Sequence, residues 1–207
     1  MADFDIVLTA TLTLLALIIG FSFSMAVSRY DQRKNYEEAE ANAIGTEYAR
    51  ADLLPADARL NVRELLTGYL RQRIQFYQGA ISEVDSDTAK LQAKLWASVV
   101  NASTAQPTLI VALAVSGMND VLNSQGYTQA AWWNRIPGAA WFLMGLIAIF
   151  SNLLLGYRER NRGFLLILPV IVSIAFFLIA DIDSPNGGVI HVAPQNLIAV
   201  LQSVEAQ

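Results

Sequence analysis

Five polar side chains in an uncharged stretch are the part of this sequence best suited to handling an ion. No residue from 95 to 119 carries a formal charge, and the polar residues there recur in steps that align them on one face of a helix. They are Ser98, Asn101, Thr108, Ser116 and Asn119, with Ala105 and Ala112 in the intervening turns. Hydroxyls and amides can partly replace the hydration shell of an ion, so this stripe could line a pore. Helix packing is the alternative, because small and hydroxyl-bearing residues let membrane helices approach closely.

Asp181 and Asp183 form a second candidate, because two carboxylates at this spacing can share a divalent cation. The same residues open the segment 181–188 (DIDSPNGG), whose Asp, Pro, Asn and Gly residues are typical of a turn. We expect the turn, and therefore no bound metal. Asp181 and Asp183 would be the ligands if a cation did bind.

The composition excludes most other kinds of catalytic and ligand-binding site. The 207 residues include no cysteine and one histidine, so disulfides, thiol catalysis and zinc or iron–sulfur centres lack their usual ligands. No phosphate-binding glycine loop, nucleophile elbow or haem attachment motif is present. The net charge of −4 offers no basic excess for binding nucleic acid. We therefore expect neither an enzyme nor a nucleic-acid-binding protein, and no cofactor.

The elements that carry these residues are membrane-spanning helices. Hydrophobic residues make up 54% of the chain and charged residues 15%, whereas soluble domains average about 25% charged residues. A bilayer core needs roughly 20 apolar residues in a helix. Three stretches are apolar over about this length: residues 6–27, 137–155 and 164–180. Residues 95–119 are a fourth, more polar candidate.

The basic residues set the expected topology. Two groups flank the apolar stretches: Arg29, Arg33 and Lys34 after the first, and Arg158, Arg160 and Arg162 between the last two. The positive-inside rule assigns both groups to the cytoplasm, so one more crossing is required between them, and residues 95–119 supply it. The prediction is an all-α, four-span transmembrane helical bundle formed by residues 1–207, with both termini outside.

Residues 28–94 are predicted to form a cytoplasmic helical module between spans 1 and 2, and residues 181–207 a short C-terminal tail. Within the module, Pro55 should end one helix, because the residue before a proline avoids the helical region. Asp57 can begin a second helix that runs through Tyr77, and Gly79 should end it.

Three groups of residues resemble, in order and spacing, the bacterial integral-membrane family described as bestrophin-like. The groups are EANAIGT at 40–46 with ADLLP at 51–55, MNDVL at 118–122 with RIP at 135–137, and IADIDSP at 179–185 with Gly188, Val192 and Pro194. The resemblance covers roughly residues 5–203.

The resemblance implies a function, because bestrophins are oligomeric anion channels with four spans in each subunit. It favours a bestrophin-like ion channel that selects anions. The small size, the absence of catalytic chemistry and the apolar helices also fit a non-catalytic accessory or scaffold subunit of a larger membrane complex. In either case we expect a multi-pass protein of the bacterial inner (plasma) membrane. Its partners would be the lipid bilayer and either further copies of itself or the other subunits of a complex.

Overall fold

The computed structural model describes residues 2–79, 81–158, 162–185 and 187–206. These residues form helices and no strand, so the predicted all-α class is confirmed. The α-helices are α1 (Ala2–Arg50), α2 (Ala56–Tyr77), α3 (Ile81–Ala105), α4 (Leu109–Trp133), α5 (Gly138–Arg158), α6 (Arg162–Asp183) and α7 (Gln195–Glu205). A short 3-10 helix, Ala51–Leu53, follows α1.

The chain divides into two compact units, and α1 runs through both. The membrane unit comprises Met1–Asp31 and Asn134–His191, and the helical unit comprises Gln32–Trp133 and Val192–Gln207. Three stretches of the described residues are long and apolar enough to cross a membrane: Asp3–Leu53, Leu109–Arg158 and Leu165–Asp183. The apolar runs at 6–27, 137–155 and 164–180 coincide with them, whereas the four-span arrangement has no fourth candidate of this kind.

Two apolar clusters hold the membrane unit together. Ala26 of α1 packs with Ile136, Ile179 and Ile182 at one level, and Leu15 of α1 packs with α5 and α6 at another. Ala26 and Ala148 are the small members of the two clusters and let the helices approach closely, because packing must supply the attraction that lipid does not.

The first two helices of the helical unit end close to where the sequence predicts, but the second begins differently. α1 ends at Arg50, and the extended Leu54 precedes Pro55. Pro55 is the N-cap of α2, so Asp57 lies in the first turn of α2 and does not cap it. α2 ends at Tyr77, as predicted, and Gly79 follows in a left-handed conformation with φ +98°, which favours glycine. The sequence did not predict that the first span and the following helix are one continuous α-helix of 49 residues.

The prediction of one membrane-spanning helix over residues 95–119 is wrong. These residues belong to two helices, α3 and α4, that pack against each other and meet at residues 106–108. Pro107 causes the break because its ring restricts the residue before it. The Thr108 hydroxyl then accepts a hydrogen bond from the Val111 N–H at 3.2 Å and caps α4.

α4 packs antiparallel to the second half of α1. Its Thr128 hydroxyl donates to Glu40 at 3.0 Å, and Gly117, three turns earlier, lies against Glu47.

Candidate functional site

The polar stripe predicted from the sequence is divided between two helices and a turn. Ser98 and Asn101 lie on α3, Thr108 lies at the turn, and Ser116 and Asn119 lie on α4. Ser98 is half-buried and accepts a hydrogen bond from Asn61 at 2.9 Å, while the other four side chains are exposed. These residues therefore do not form one continuous stripe, and Ser98 contacts α2 through Asn61.

A different polar stripe runs along the apolar half of α1, and we call it the α1 stripe. Its members are exposed and carry hydroxyl groups or no side chain: Thr9, Thr13, Gly20, Ser24 and Ser28. The spacings of four and seven residues keep them on one helical face. The Thr13 hydroxyl donates to the Thr9 carbonyl at 2.8 Å, a local bond that satisfies the donor and leaves the oxygen available as an acceptor.

The other two membrane helices expose a different kind of surface. Within residues 138–155 and 165–180, the exposed polar side chain is Ser173. Ser151 is buried, and the Asn152 side chain donates a hydrogen bond to the Ala148 carbonyl at 2.7 Å. The exposed positions are instead filled by large apolar side chains, among them Phe142, Ile149, Phe150, Leu153, Leu166, Ile171, Ile174 and Phe177. Of the described membrane helices, α1 thus presents the polar face.

Ion pairs mark the two ends of the membrane unit. Asp5, near the start of α1, pairs with Arg158 at the end of α5. Arg29 pairs with Asp183, at the end of α6, at 3.5 Å. Asp5 and Arg29 are 24 residues apart on one helix, which corresponds to roughly 36 Å along the axis at 1.5 Å per residue. The two ion pairs therefore lie at opposite ends of the unit.

These positions correct the topology expected from the basic residues. The prediction assigned Arg29 and Arg158 to the same membrane face, but they lie at opposite ends of the membrane unit. Arg33 is buried and Lys34 is exposed, both in the helical unit. Arg162 is the first residue of α6, and Arg160 lies outside the described residues.

The carboxylates of Asp181 and Asp183 accept hydrogen bonds from backbone N–H groups. Asp181 accepts hydrogen bonds from the N–H groups of Val189 and Ile190 at 2.8 and 2.9 Å. Asp183 accepts from the N–H of Ile136 at 2.9 and 3.2 Å, in addition to its pairing with Arg29. Among the residues that the structure describes, no three His, Cys, Asp or Glu side chains are grouped so that they could hold a metal ion. These contacts favour the turn over the cation site.

The helical unit contains a buried ion pair that is not predicted from the sequence. Glu40 of α1 and Arg73 of α2 are both fully buried and joined through two hydrogen bonds. The Tyr77 hydroxyl donates to the same carboxylate at 3.4 Å, and burial raises the pKa of Tyr77 well above its usual value. Glu40 and Arg73 are 33 residues apart in the sequence, so no local spacing predicts that they pair.

A second carboxylate of α1 anchors the carboxyl-terminal helix. Glu37 is buried and accepts hydrogen bonds from the N–H groups of Asn196 and Leu197, both at 3.0 Å. The Asn196 side chain donates to it as well, at 2.6 Å. These N–H groups belong to the first turn of α7, where the helix dipole also favours a negative charge.

Comparison with known proteins gives this arrangement a family. The model of the bestrophin-like domain matches residues 5–197. A crystal structure of a tryptophan-to-alanine mutant of a bacterial bestrophin homologue from Klebsiella pneumoniae superposes with a TM-score of 0.73 at 14% identity, over 96% of this chain and 82% of that one. A second structure of the Klebsiella pneumoniae homologue gives 0.72 at 16% identity, over 99% and 84%.

At such identities the structural likeness establishes the fold alone. No match was found among curated proteins. The family model covers most of the sequence, and its limits agree closely with the resemblance noted from the three groups of residues. The chain belongs to the bestrophin-like family.

Proposed function

We propose that this protein is the subunit of an oligomeric ion channel and that the α1 stripe lies along the ion pathway. The observation that carries the proposal is the contrast between the helices of the membrane unit. Among its exposed residues, the apolar half of α1 has four with hydroxyl groups and a glycine, interspersed with apolar residues such as Leu17 and Phe21, whereas α5 and α6 expose almost entirely apolar side chains. Membership of the bestrophin-like family supports the same function, because bestrophins are ion channels.

The contrast has a physical basis. Apolar side chains suit the lipid, whereas hydroxyl oxygens that remain open as acceptors find no donor in hydrocarbon and are better placed against water or protein. If several copies surround an axis with their α1 helices innermost, the α1 stripes line a narrow aqueous path, and their oxygens replace part of an ion's hydration. α5 and α6 then form the boundary with the lipid.

The low burial of the membrane helices supports assembly into a homo-oligomer. In their most apolar windows, 11%, 17% and 17% of the residues are buried within one chain. The remaining apolar surface must be covered by lipid or by further copies of the chain, because exposing it to water would cost much free energy.

The ion pairs favour three crossings of the membrane instead of four. Residues 29, 136 and 183 meet at one end of the membrane unit, so the chain between residues 32 and 133 leaves and re-enters at the same end. An additional span within residues 95–119 is then unnecessary. We infer that this end faces the cytoplasm of a bacterial inner membrane, because Arg29, Arg33 and Lys34 follow the first span.

The channel can be tested with the purified protein. Reconstituted in liposomes, it should carry ions, and the resemblance to bestrophins favours chloride over potassium. Native mass spectrometry in mild detergent should find several copies of this chain. A stable complex with different subunits, together with no flux of any ion tested, would contradict the channel and favour the accessory-subunit alternative.

A further inference from the structure

A buried carboxyl group without a partner lies at the contact between α1 and α4. Glu47 of α1 is fully buried, and in the part of the chain that the structure describes neither of its carboxylate oxygens has a hydrogen-bond partner. Gly117 of α4 covers it: a Cβ atom at that position would collide with the Glu47 carboxylate and with the Arg50 guanidinium. Glycine therefore permits the close approach of the two helices here.

A cavity of about 220 Å³ opens beside this contact. Its walls are Asn42, Ala43, Thr46 and Arg50 of α1 and Gly117 and Asp120 of α4. The charged groups that act on Glu47 are Arg50, on its own helix, and Asp120, on the helix packed against it. Their charges have opposite signs, so Glu47 decides whether the group of three is neutral or carries one net negative charge.

The protonated form of Glu47 suits this environment. A buried charge without a partner is costly, and a carboxyl group in such a place avoids the cost by keeping its proton. Burial raises the pKa of Glu47 to about 8; Arg50 opposes the rise and Asp120 adds to it. The group therefore changes charge just above neutral pH.

We propose that Glu47 is a proton-operated latch on the α1–α4 contact, closed behind Gly117 when the carboxyl group is protonated and opened to the neighbouring cavity when the proton is lost to solvent. The ionised carboxylate needs water, and the cavity beside Gly117 and Arg50 has room for it. Entry of water separates Glu47 from Gly117 and loosens the contact. This device does not depend on the proposed channel, and its test does not measure ion flux.

A single cysteine can report the opening, because the natural chain has none. Ala43 lines the cavity and is half-buried. We would measure the rate at which a small thiol reagent labels full-length Ala43→Cys protein in detergent between pH 6.5 and 9.5, with and without Glu47→Gln. Each rate is divided by the thiolate fraction, titrated separately for each protein, because the charge on Glu47 itself shifts the pKa of a nearby thiol. With a pKa of about 8, the ionised fraction of Glu47 grows about tenfold from pH 7 to pH 9, and the corrected rate without Glu47→Gln should grow correspondingly relative to the rate with it.

The neighbouring charges give a second readout that does not require Glu47→Gln to fold. Asp120→Asn removes the repelling charge, so the midpoint of the labelling profile should move to lower pH. Arg50→Gln removes the attracting charge and should move the midpoint to higher pH. Equal pH profiles with and without Glu47→Gln would overturn the latch, and so would midpoints that neither Asp120→Asn nor Arg50→Gln displaces.

Discussion

Arg158 at the end of α5 forms an ion pair with Asp5 near the start of α1. This contact and the pairing of Arg29 with Asp183 define the two ends of the membrane unit. The end of α5 lies where α1 begins, and Arg29 and Ile136, which flank residues 32–133, lie at the opposite end with Asp183.

Three crossings predict a specific pattern of labelling in intact cells. Cysteines introduced singly at Asp3 and Tyr157 should react with a membrane-impermeant reagent from the outside, and one at Gln125 should not. The four-span arrangement instead expects Asp3 and Gln125 to react together and Tyr157 to be protected. Detergent-solubilised protein, in which all three positions should react, is the control.

The closeness of Gly117 to Glu47 makes α4 sensitive to a single methyl group. Gly117→Ala should lower the thermal midpoint, because overpacking costs about 1–3 kcal/mol and exceeds the gain of up to about 1 kcal/mol from alanine in a helix. Gly126 is the matched control, since it is exposed on the same helix and nothing lies within 4 Å of an added Cβ. Gly126→Ala should hold or raise the midpoint. Equal responses from the two variants would contradict the packing described here.

The buried pair of Glu40 and Arg73 should matter far more than an exposed pair on the same helix. Arg73→Met leaves a buried carboxylate without its partner, which costs about 3–5 kcal/mol. Arg71 pairs with Glu205 at the surface, where such pairs contribute about 0–1 kcal/mol, so Arg71→Met is the control. Chemical denaturation in detergent measures both. A similar loss in the two variants would mean that the buried pair contributes little beyond a surface contact.

Glu47 gives the stability of the protein a pH dependence of definite sign. Its pKa is about 8 in the folded protein, compared with 4.5 as the unperturbed value, so between these values the folded chain holds a proton that the unfolded chain has lost. Stability from this group is therefore complete below pH 4.5, falls as the pH rises to about 8, and changes no further above it.

Glu47→Gln should remove that dependence. The difference in thermal midpoint between Glu47→Gln and the natural protein should grow in favour of the variant from pH 5 to pH 8. A constant difference over this range would show that Glu47 titrates normally in the folded state.

Local signals predicted the helices well. The apolar runs at 6–27, 137–155 and 164–180 and the breaks at Pro55 and Gly79 each depend on a few neighbouring residues, and the structure contains them all. Pro107 is also a local signal for a helix break. The positive-inside rule nevertheless favours a span over residues 95–119, which this proline interrupts.

The site was harder to predict because its features depend on partners distant in sequence. Glu40 and Arg73 are 33 residues apart, and Glu37 and Asn196 are 159 apart, so neither pairing has a periodic signature. The sequence shows the spacing of the hydroxyls on α1. It does not show which of these side chains are exposed, because exposure depends on how the helices pack.

The most direct test of the account is the conductance of the reconstituted channel after enlarging one glycine of the α1 stripe. Gly20 and Gly145 both lie within membrane helices, and nothing lies within 4 Å of a Cβ added at either. Single-channel recording should find that Gly20→Leu sharply reduces conductance in an oligomer of unchanged mass, while Gly145→Leu conducts as the natural protein does. Equal conductance in the two variants, or no conductance in the natural protein, would contradict an ion pathway along α1.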